Sequence, residues 1–345
     1  MYDVGSSFTK DIFMKRLALV LSMLASASSH GFESNPYIVN GSPASVSEFP
    51  TFSSLYFDNG KYYGNYCGST VINENYILTA AHCIYGAFDQ MLHTNVVLGV
   101  ENKNDYLSGK FESVRAAEFY YPDNYEHSEV SAWPNDIAII KLARPLAGNP
   151  DYYNHLNLNV SKGSLEKTTG YMALGHGLVN GNVASDGQLL KTDLTLTNDS
   201  NCDNTKPGQL CFDGLLDGGY KNSTCNGDSG GPVYKDFGTG KYIQVGITSY
   251  GPVRCGSPSP SFAATSVFTN VNEYQNWISS VISGGETPKY HIVAKGSDRQ
   301  LIENSTSSVK ASSNHIDASS SSGGSLGFFS VMLLGALSLR KKIRR

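Results

Sequence analysis

The stretch that most constrains this chain is Cys225-Asn226-Gly227-Asp228-Ser229-Gly230-Gly231-Pro232. A serine set between glycines, with an acid just before it, points to an exposed nucleophile on a tight turn. Glycine removes the Cβ clash and lets a substrate carbonyl approach the backbone. The N–H groups of Gly227 and Ser229 are then placed to face a developing oxyanion. Taken alone the octapeptide also reads as an ordinary turn.

Two upstream stretches change that balance: Leu78-Thr79-Ala80-Ala81-His82-Cys83 and Asn135-Asp136-Ile137-Ala138-Ile139-Ile140. With them the chain offers His, Asp and Ser in that order. These three motifs, in this order, resemble those of the trypsin/chymotrypsin family of serine proteases over roughly residues 38 to 282. The Asp-His-Ser and Ser-Asp-His orders of other serine hydrolases do not fit. The resemblance implies an all-β fold of two six-stranded antiparallel barrels, with the active site between them and a C-terminal helix. It implies that Ser229 attacks the scissile carbonyl, that His82 takes the proton and passes it to the leaving amine, and that Asp136 fixes the His82 tautomer. Ser249, in Thr248-Ser249-Tyr250-Gly251, matches the family's serine that also contacts that aspartate.

The residues themselves are compatible with such a fold. Of 345 residues, 40% are hydrophobic and only 16% charged, with 35 glycines and 21 tyrosines, which suits a β-rich secreted protein with a core. Short runs rich in β-branched and aromatic residues recur at 51–57, 69–72, 76–80, 96–98, 112–121, 137–142, 169–174, 188–195, 242–249 and 265–271, cut by Asn, Gly and Asp. Without βαβ alternation, they predict a barrel or sandwich. Asn272 is placed to cap a closing helix that presents Tyr274, Trp277, Ile278 and Val281 on one face.

Six cysteines lie between Cys67 and Cys255, and none forms a Cys-x-x-Cys pair, so a zinc site is not expected. Spacing leaves fifteen pairings open. The family resemblance implies Cys67–Cys83, Cys202–Cys211 and Cys225–Cys255, hence an oxidising compartment. No cofactor and no metal is expected. Glu101, Asp105 and Glu112 fall where some relatives bind calcium, but charged loop residues are usually just solvated. Residues 38–282 hold 14 Lys and Arg against 23 Asp and Glu, a net charge of −9, which argues against nucleic-acid binding.

The ends have their own logic. Residues 1–27 read as an extension followed, from Met14, by a secretory signal: Lys15-Arg16, the apolar run 17–24, and Ala25-Ser26-Ala27. Residues 28–37 then form a propeptide. Ile38-Val39-Asn40-Gly41 resembles the family's mature N-terminus, where cutting before Ile38 by an activating protease frees an α-amine that pairs with Asp228. Residues 283–325 read as a Gly/Ser/Thr-rich linker. Within it, 289–295 has the makings of one strand, with too little around it for a second domain. Residues 326–345 join an apolar run to a tail with five basic residues among its last six. With Gly323-Gly324 before it, this ending resembles the GlyGly-CTERM sorting signal of Gram-negative bacteria, which implies export and C-terminal processing machinery. A plain membrane anchor is the other reading.

In the family the primary pocket has its floor six residues before the nucleophile, here Ser223. An uncharged floor leaves a buried Lys or Arg without a partner, so uncharged residues, aromatic or of medium size, are expected before the scissile bond. Gly251 and Ser266 are the expected walls. The remaining histidines, 30, 93, 127, 155, 176, 291 and 315, are expected on the surface or in loops. The leading expectation is a monomeric, secreted serine endopeptidase acting on proteins or peptides. A non-catalytic binding or adhesion module on the same fold, and an esterase, are the alternatives.

Overall fold

A computed structural model describes residues 38–147, 165, 169–202, 205–237, 242–258, 264–296, 298–304 and 340–341. The expected leader, propeptide, Gly323-Gly324 signal and apolar run at 326–339 lie outside the described residues. Among the described residues no helix is long and apolar enough to cross a membrane.

Strands β1 (Ser42–Pro43), β2 (Phe52–Asp58), β3 (Tyr62–Asn73), β4 (Tyr76–Thr79), β5 (Thr94–Leu98), β6 (Glu112–Tyr120) and β7 (Ala138–Leu142) open the chain. Six of them close a barrel in the order β5-β2-β3-β4-β7-β6, with β6 returning to β5. A second barrel uses β8 (Tyr171–Gly175), β9 (Leu190–Leu196), β10 (Gln209–Asp213), β13 (Pro232–Asp236), β14 (Tyr242–Tyr250) and β15 (Ser266–Asn270). Its order is β9-β10-β15-β14-β13-β8, closed by β8 on β9. Between β10 and β13 lies a small hairpin of β11 (Leu216–Asp217) and β12 (Tyr220–Lys221). All pairings are antiparallel, and β1 joins the second barrel through β9. The protein is thus two six-stranded antiparallel barrels.

Strand alternation builds the cores. In β9, Leu190, Thr192, Leu194 and Leu196 are buried, while the residues between them are half-buried or exposed. The second barrel is filled by Tyr171, Leu194, Phe212, Val233, Val245 and Phe268. The first is filled by Leu55, Val71, Ile77, Val96, Val114, Phe119 and Ile139. Phe49, Phe52, Leu174, Leu189 and Tyr234 form a third cluster drawing on both halves of the chain. A short helix α1 (Phe88–Leu92) follows β4, and a closing helix α2 (Gln275–Ile282) packs Ile278 and Val281 back onto the first barrel.

Three expectations need correction. β10 and β13 are not among the strand-like runs, because β10 sets Leu210 and Phe212 among Gln209, Cys211 and Asp213 with no β-branched residue, and β13 begins at Pro232, which weakens any strand reading. The cap lies two residues earlier than Asn272: Asn270 Oδ1 accepts from Asn272 N–H at 3.1 Å and starts the 3-10 turn Val271–Tyr274 that leads into α2. The third concerns the expected linker. Residues 290–295 (β16) and 298–303 (β17) form a hairpin that extends the first barrel's sheet through β6. Its single strand at 289–295 finds the partners it lacked in β17 on one side and β6 on the other.

Phe268 is buried, with its ring edge-on to Phe212 at 5.1 Å. Phe268→Ala is expected to cost about 3–5 kcal/mol of stability in urea unfolding. A loss under about 1 kcal/mol would mean that the second barrel's core is not packed as described.

Candidate active site

Asp136 lies two residues before β7 and is buried. Its Oδ1 accepts from the His82 backbone N–H at 2.9 Å, and its Oδ2 accepts from His82 Nδ1 at 2.7 Å and from Ser249 Oγ at 2.5 Å. Thr269 Oγ1 donates to the Asp136 carbonyl at 2.8 Å. His82 comes from the 3-10 turn after β4, Ser249 from β14 and Thr269 from β15, so both barrels supply donors. Burial disfavours the Asp136 carboxylate, but the His82 charge and the hydrogen bonds from His82 and Ser249 outweigh it and hold the carboxyl below its usual range. For His82, burial disfavours the imidazolium, but the Asp136 charge and hydrogen bond leave its pKa above 6.5. The Cys67–Cys83 disulfide pins the same turn.

The Ser229 turn is stitched to both barrels. Gly68 N–H in β3 donates to the Ser229 carbonyl at 2.8 Å, and Gly230 N–H donates to Thr248 O in β14 at 2.9 Å. Gly230 lies so close to Thr79, Ala80 and the Gly68 carbonyl that a Cβ there would overlap them. The turn therefore abuts the segment that carries His82. Gly227 adopts φ 99°, open to glycine but strained for other residues, and this turns the chain before Asp228. Among the described residues, neither the Gly227 nor the Ser229 N–H meets an acceptor.

Asp228 is a second buried carboxylate. It accepts from Cys225 N–H and Gly177 N–H, each at 2.8 Å, and lies against the backbone of Gly175–Gly177. Burial pushes its carboxyl up to about 7, against those two bonds and the Lys103 charge, which pull it down. Ile38 is buried at φ 37°, and Val39 N–H next to it donates to Ser223 O at 3.1 Å, so the expected new N-terminus is anchored beside the pocket.

The residues expected to line the primary pocket are held as follows. Ser223 is buried, with Oγ donating to the Thr224 and Thr265 carbonyls at 2.5 and 3.1 Å. Ser266 Oγ accepts from Thr224 N–H and from Thr224 Oγ1, both at 3.0 Å. Gly251 packs against the Thr265 carbonyl, where a Cβ would crowd it. The other two disulfides are Cys202–Cys211 and Cys225–Cys255, and the latter braces the Ser229 turn. Glu101 accepts from Ser45 Oγ and Val46 N–H, and Glu112 pairs with Arg144, so these two carboxylates of the loop discussed for calcium are already engaged.

Comparison with known proteins settles the family. The trypsin family model matches residues 38–278. The chain belongs to the trypsin family of serine proteases. It is 32% identical to a chymotrypsin of Phaedon cochleariae over 61% of this chain and 70% of that protein. It is 31% identical to chymotrypsin-like elastase family member 1 of Canis lupus familiaris, over 73% and 94%. A CLIP domain-containing serine protease B4 of Anopheles gambiae is 28% identical over 72% and 71%. This trypsin-family chain is a serine endopeptidase.

Three residues of this protease escaped the sequence reading. Thr224 ties Ser223 to Ser266, and its place beside the pocket floor was the available signal. Trp133, one of only two tryptophans, packs against Tyr250 at 5.4 Å in a loop where Ala132, Trp133 and Asn135 all take positive φ. A cavity of about 470 Å³ lined by Glu126, Pro134, Asn135 and Lys206 borders that loop. His176, expected in an exposed or loop position, lies in the loop after β8 but is only 2% exposed, with Nδ1 3.3 Å from Ser54 Oγ. Burial and the Lys103 charge pull its pKa down to about 3, so it is neutral.

Asp228 binds its proton more tightly folded, near 7, than at its ordinary 3.8. Its contribution to stability is therefore full below about pH 3.8 and lost as pH rises through about 7. Relative to wild type, uncut Asp228→Asn is expected to gain stability as pH rises from about 4 to about 7, read as the difference in urea midpoints. A difference independent of pH would contradict the buried, proton-holding Asp228.

Proposed function

We propose that the chain is an exported serine endopeptidase in which Ser229 is the nucleophile, His82 the general base and acid, and Asp136 the orienting carboxylate. The observation that carries this reading is the buried Asp136 carboxylate, bonded at once to His82 Nδ1 and Ser249 Oγ, beside the Ser229 turn. Ser229 Oγ attacks the scissile carbonyl carbon while its proton passes to His82 Nε2. The negative charge on the former carbonyl oxygen is met by the Gly227 and Ser229 N–H groups. His82 then protonates the leaving amine, and the C–N bond breaks to leave an acyl-enzyme. Water repeats the sequence in the second half, with its proton taken by His82, and frees Ser229.

Cleavage before Ile38 activates the chain. The new α-ammonium pairs with Asp228, which adjoins Ser229 and so sets the direction of the oxyanion donors. The under-satisfied state of Asp228 in the uncut chain supports this, because a buried carboxylate near pKa 7 gains from a cation. Ser223, Thr224 and Ser266 form a polar, uncharged pocket that favours uncharged residues before the scissile bond and disfavours Lys and Arg. The leader-like 14–27 segment supports export, and the Gly323-Gly324 ending with its basic tail supports C-terminal processing during export.

Ser229→Ala is expected to fold and be exported normally but to lose about 10⁶-fold in kcat on a peptide substrate. Ser223→Asp is expected to turn the preference toward Lys and Arg in a peptide library. Peptide turnover by Ser229→Ala at the wild-type rate would remove the assignment. The raised His82 pKa predicts that activity falls with decreasing pH through a value above 6.5, since the base must be neutral. Asp136→Asn removes the charge that raises it, moving this limb to lower pH and lowering kcat by about 10⁴-fold. An unshifted limb would contradict the Asp136–His82 coupling.

A further inference from the structure

The family match ends at residue 278, yet the described chain continues into the β16–β17 hairpin. This hairpin is built into the first barrel. β16 pairs with β6 through Tyr290↔Phe119 and His291↔Glu118. Lys289 N–H donates to Phe119 O at 2.8 Å, and Asn304 closes the base by donating to the Lys289 and Pro288 carbonyls. Tyr290 belongs to the first barrel's core, and Ile292 and Leu301 pack against that core. Arg299 donates to Ala116 O at 2.9 Å, and Lys289 pairs with Asp123.

These contacts lead to the His82 turn. The Tyr290 ring meets Phe88, the first residue of α1, at 5.6 Å, and its hydroxyl meets Tyr121. Tyr121 packs edge-on against Tyr85 at 5.4 Å, and Tyr85 also touches Tyr125 at 5.2 Å and stacks on His127 at 5.6 Å. Tyr85 belongs to the same turn as His82: its N–H donates to Ala81 O at 2.9 Å. Gln90 Nε2 fastens α1 to that turn by donating to Cys83 O at 3.1 Å. Phe88 and Tyr85 are 55% and 42% exposed, so neither is held by enclosure in the barrel core. Tyr290 covers Phe88, and Tyr121 adds to the contacts that Tyr125 and His127 make with Tyr85.

We propose that the hairpin Tyr290–Glu303 is a positioning element of the peptidase site, bracing Phe88 and Tyr121 so that the segment 82–88 holds His82 where proton transfer from Ser229 requires it. The role rests on the protease reading with His82 as base, and Tyr290 acts through its neighbours without touching the reacting atoms. One consequence is that C-terminal processing must cut beyond residue 304, since an earlier cut removes the brace.

The test uses the mature protein with Tyr290→Ala, Tyr290→Phe, Phe88→Ala and the exposed-position control Val293→Ala. Three quantities are measured where circular dichroism shows the fold intact: kcat and KM on a peptide, the rate of Ser229 labelling by a fluorophosphonate, and amide hydrogen exchange over 84–88. A displacement of about 1 Å at a reacting group costs up to about 10²-fold in rate. Tyr290→Ala is therefore expected to lower kcat by about 10- to 100-fold, with KM within about twofold, and to slow labelling in parallel. It should also speed exchange over 84–88. Phe88→Ala is expected to act in the same direction more weakly. Val293→Ala should match wild type, and Tyr290→Phe, which keeps the ring on Phe88 but loses the hydroxyl toward Tyr121, should lie between wild type and Tyr290→Ala. A folded Tyr290→Ala with wild-type kcat and exchange overturns the proposal, as does an effect on KM alone. If Tyr290→Ala does not fold, wild-type kcat and exchange in Phe88→Ala overturn it equally. Wild-type protein that neither labels nor cleaves would refute the protease reading instead, and the exchange over 84–88 would still decide whether the hairpin braces the segment.

Discussion

Two carboxylates taken out of water at the meeting of the barrels govern this protein. A buried carboxylate costs several kcal/mol unless donors or a cation face it. Asp136 meets that demand with donors from His82 on the first barrel and Ser249 on the second. Its satisfaction therefore depends on the two barrels meeting in one way, and the same contacts orient the His82 ring. Asp228 meets the demand only in part. Two backbone N–H groups face it, and its carboxyl remains pushed up to about 7. The first carboxylate is finished in the uncut chain, and the second is poised for a cation. In the proposed mechanism that cation is the α-ammonium of Ile38, whose neighbour Val39 is already tied to the Ser223 carbonyl.

The residues of the proposed pocket are likewise held by hydrogen bonds from neighbouring groups. The Ser223 hydroxyl donates to nearby carbonyls, and the Thr224 hydroxyl and N–H donate to Ser266 Oγ. No charged group is among Ser223, Thr224 and Ser266, which is why they support an uncharged preference. The hairpin after the family match adds a different constraint. It extends the first barrel and sets the Tyr290 ring against Phe88 in the segment after His82. That places part of the expected linker inside the catalytic domain's packing.

Most of the strands and the three motifs were legible from local pattern, because alternation and turn residues are written within a few positions of each strand, but pattern left barrel or sandwich open and the two six-stranded barrels came from the family likeness. β13 was hidden by its opening proline, which is tolerated where the strand leaves the Ser229 turn. The β16–β17 hairpin was hidden because Tyr290 and Ile292 look solitary until β6, far earlier in the chain, supplies their partner. His176 shows the same limit. A histidine between two glycines reads as an exposed loop, and only the approach of Ser54, Phe52 and Lys103 buries it. The disulfide pairing was not readable from spacing and came from the family likeness, which the structure matches in all three bridges.

In the proposed mechanism the uncut and cut chains differ in whether Asp228 has a cation to face. The decisive measurement is the rate of Ser229 labelling and peptide hydrolysis by a chain that still carries residues 28–37, set beside the same chain cut before Ile38. The account predicts that the cut form labels and cleaves while the uncut form is slower by orders of magnitude, with Asp228 paired to the new terminus only in the former. Equal rates in the two forms would contradict it.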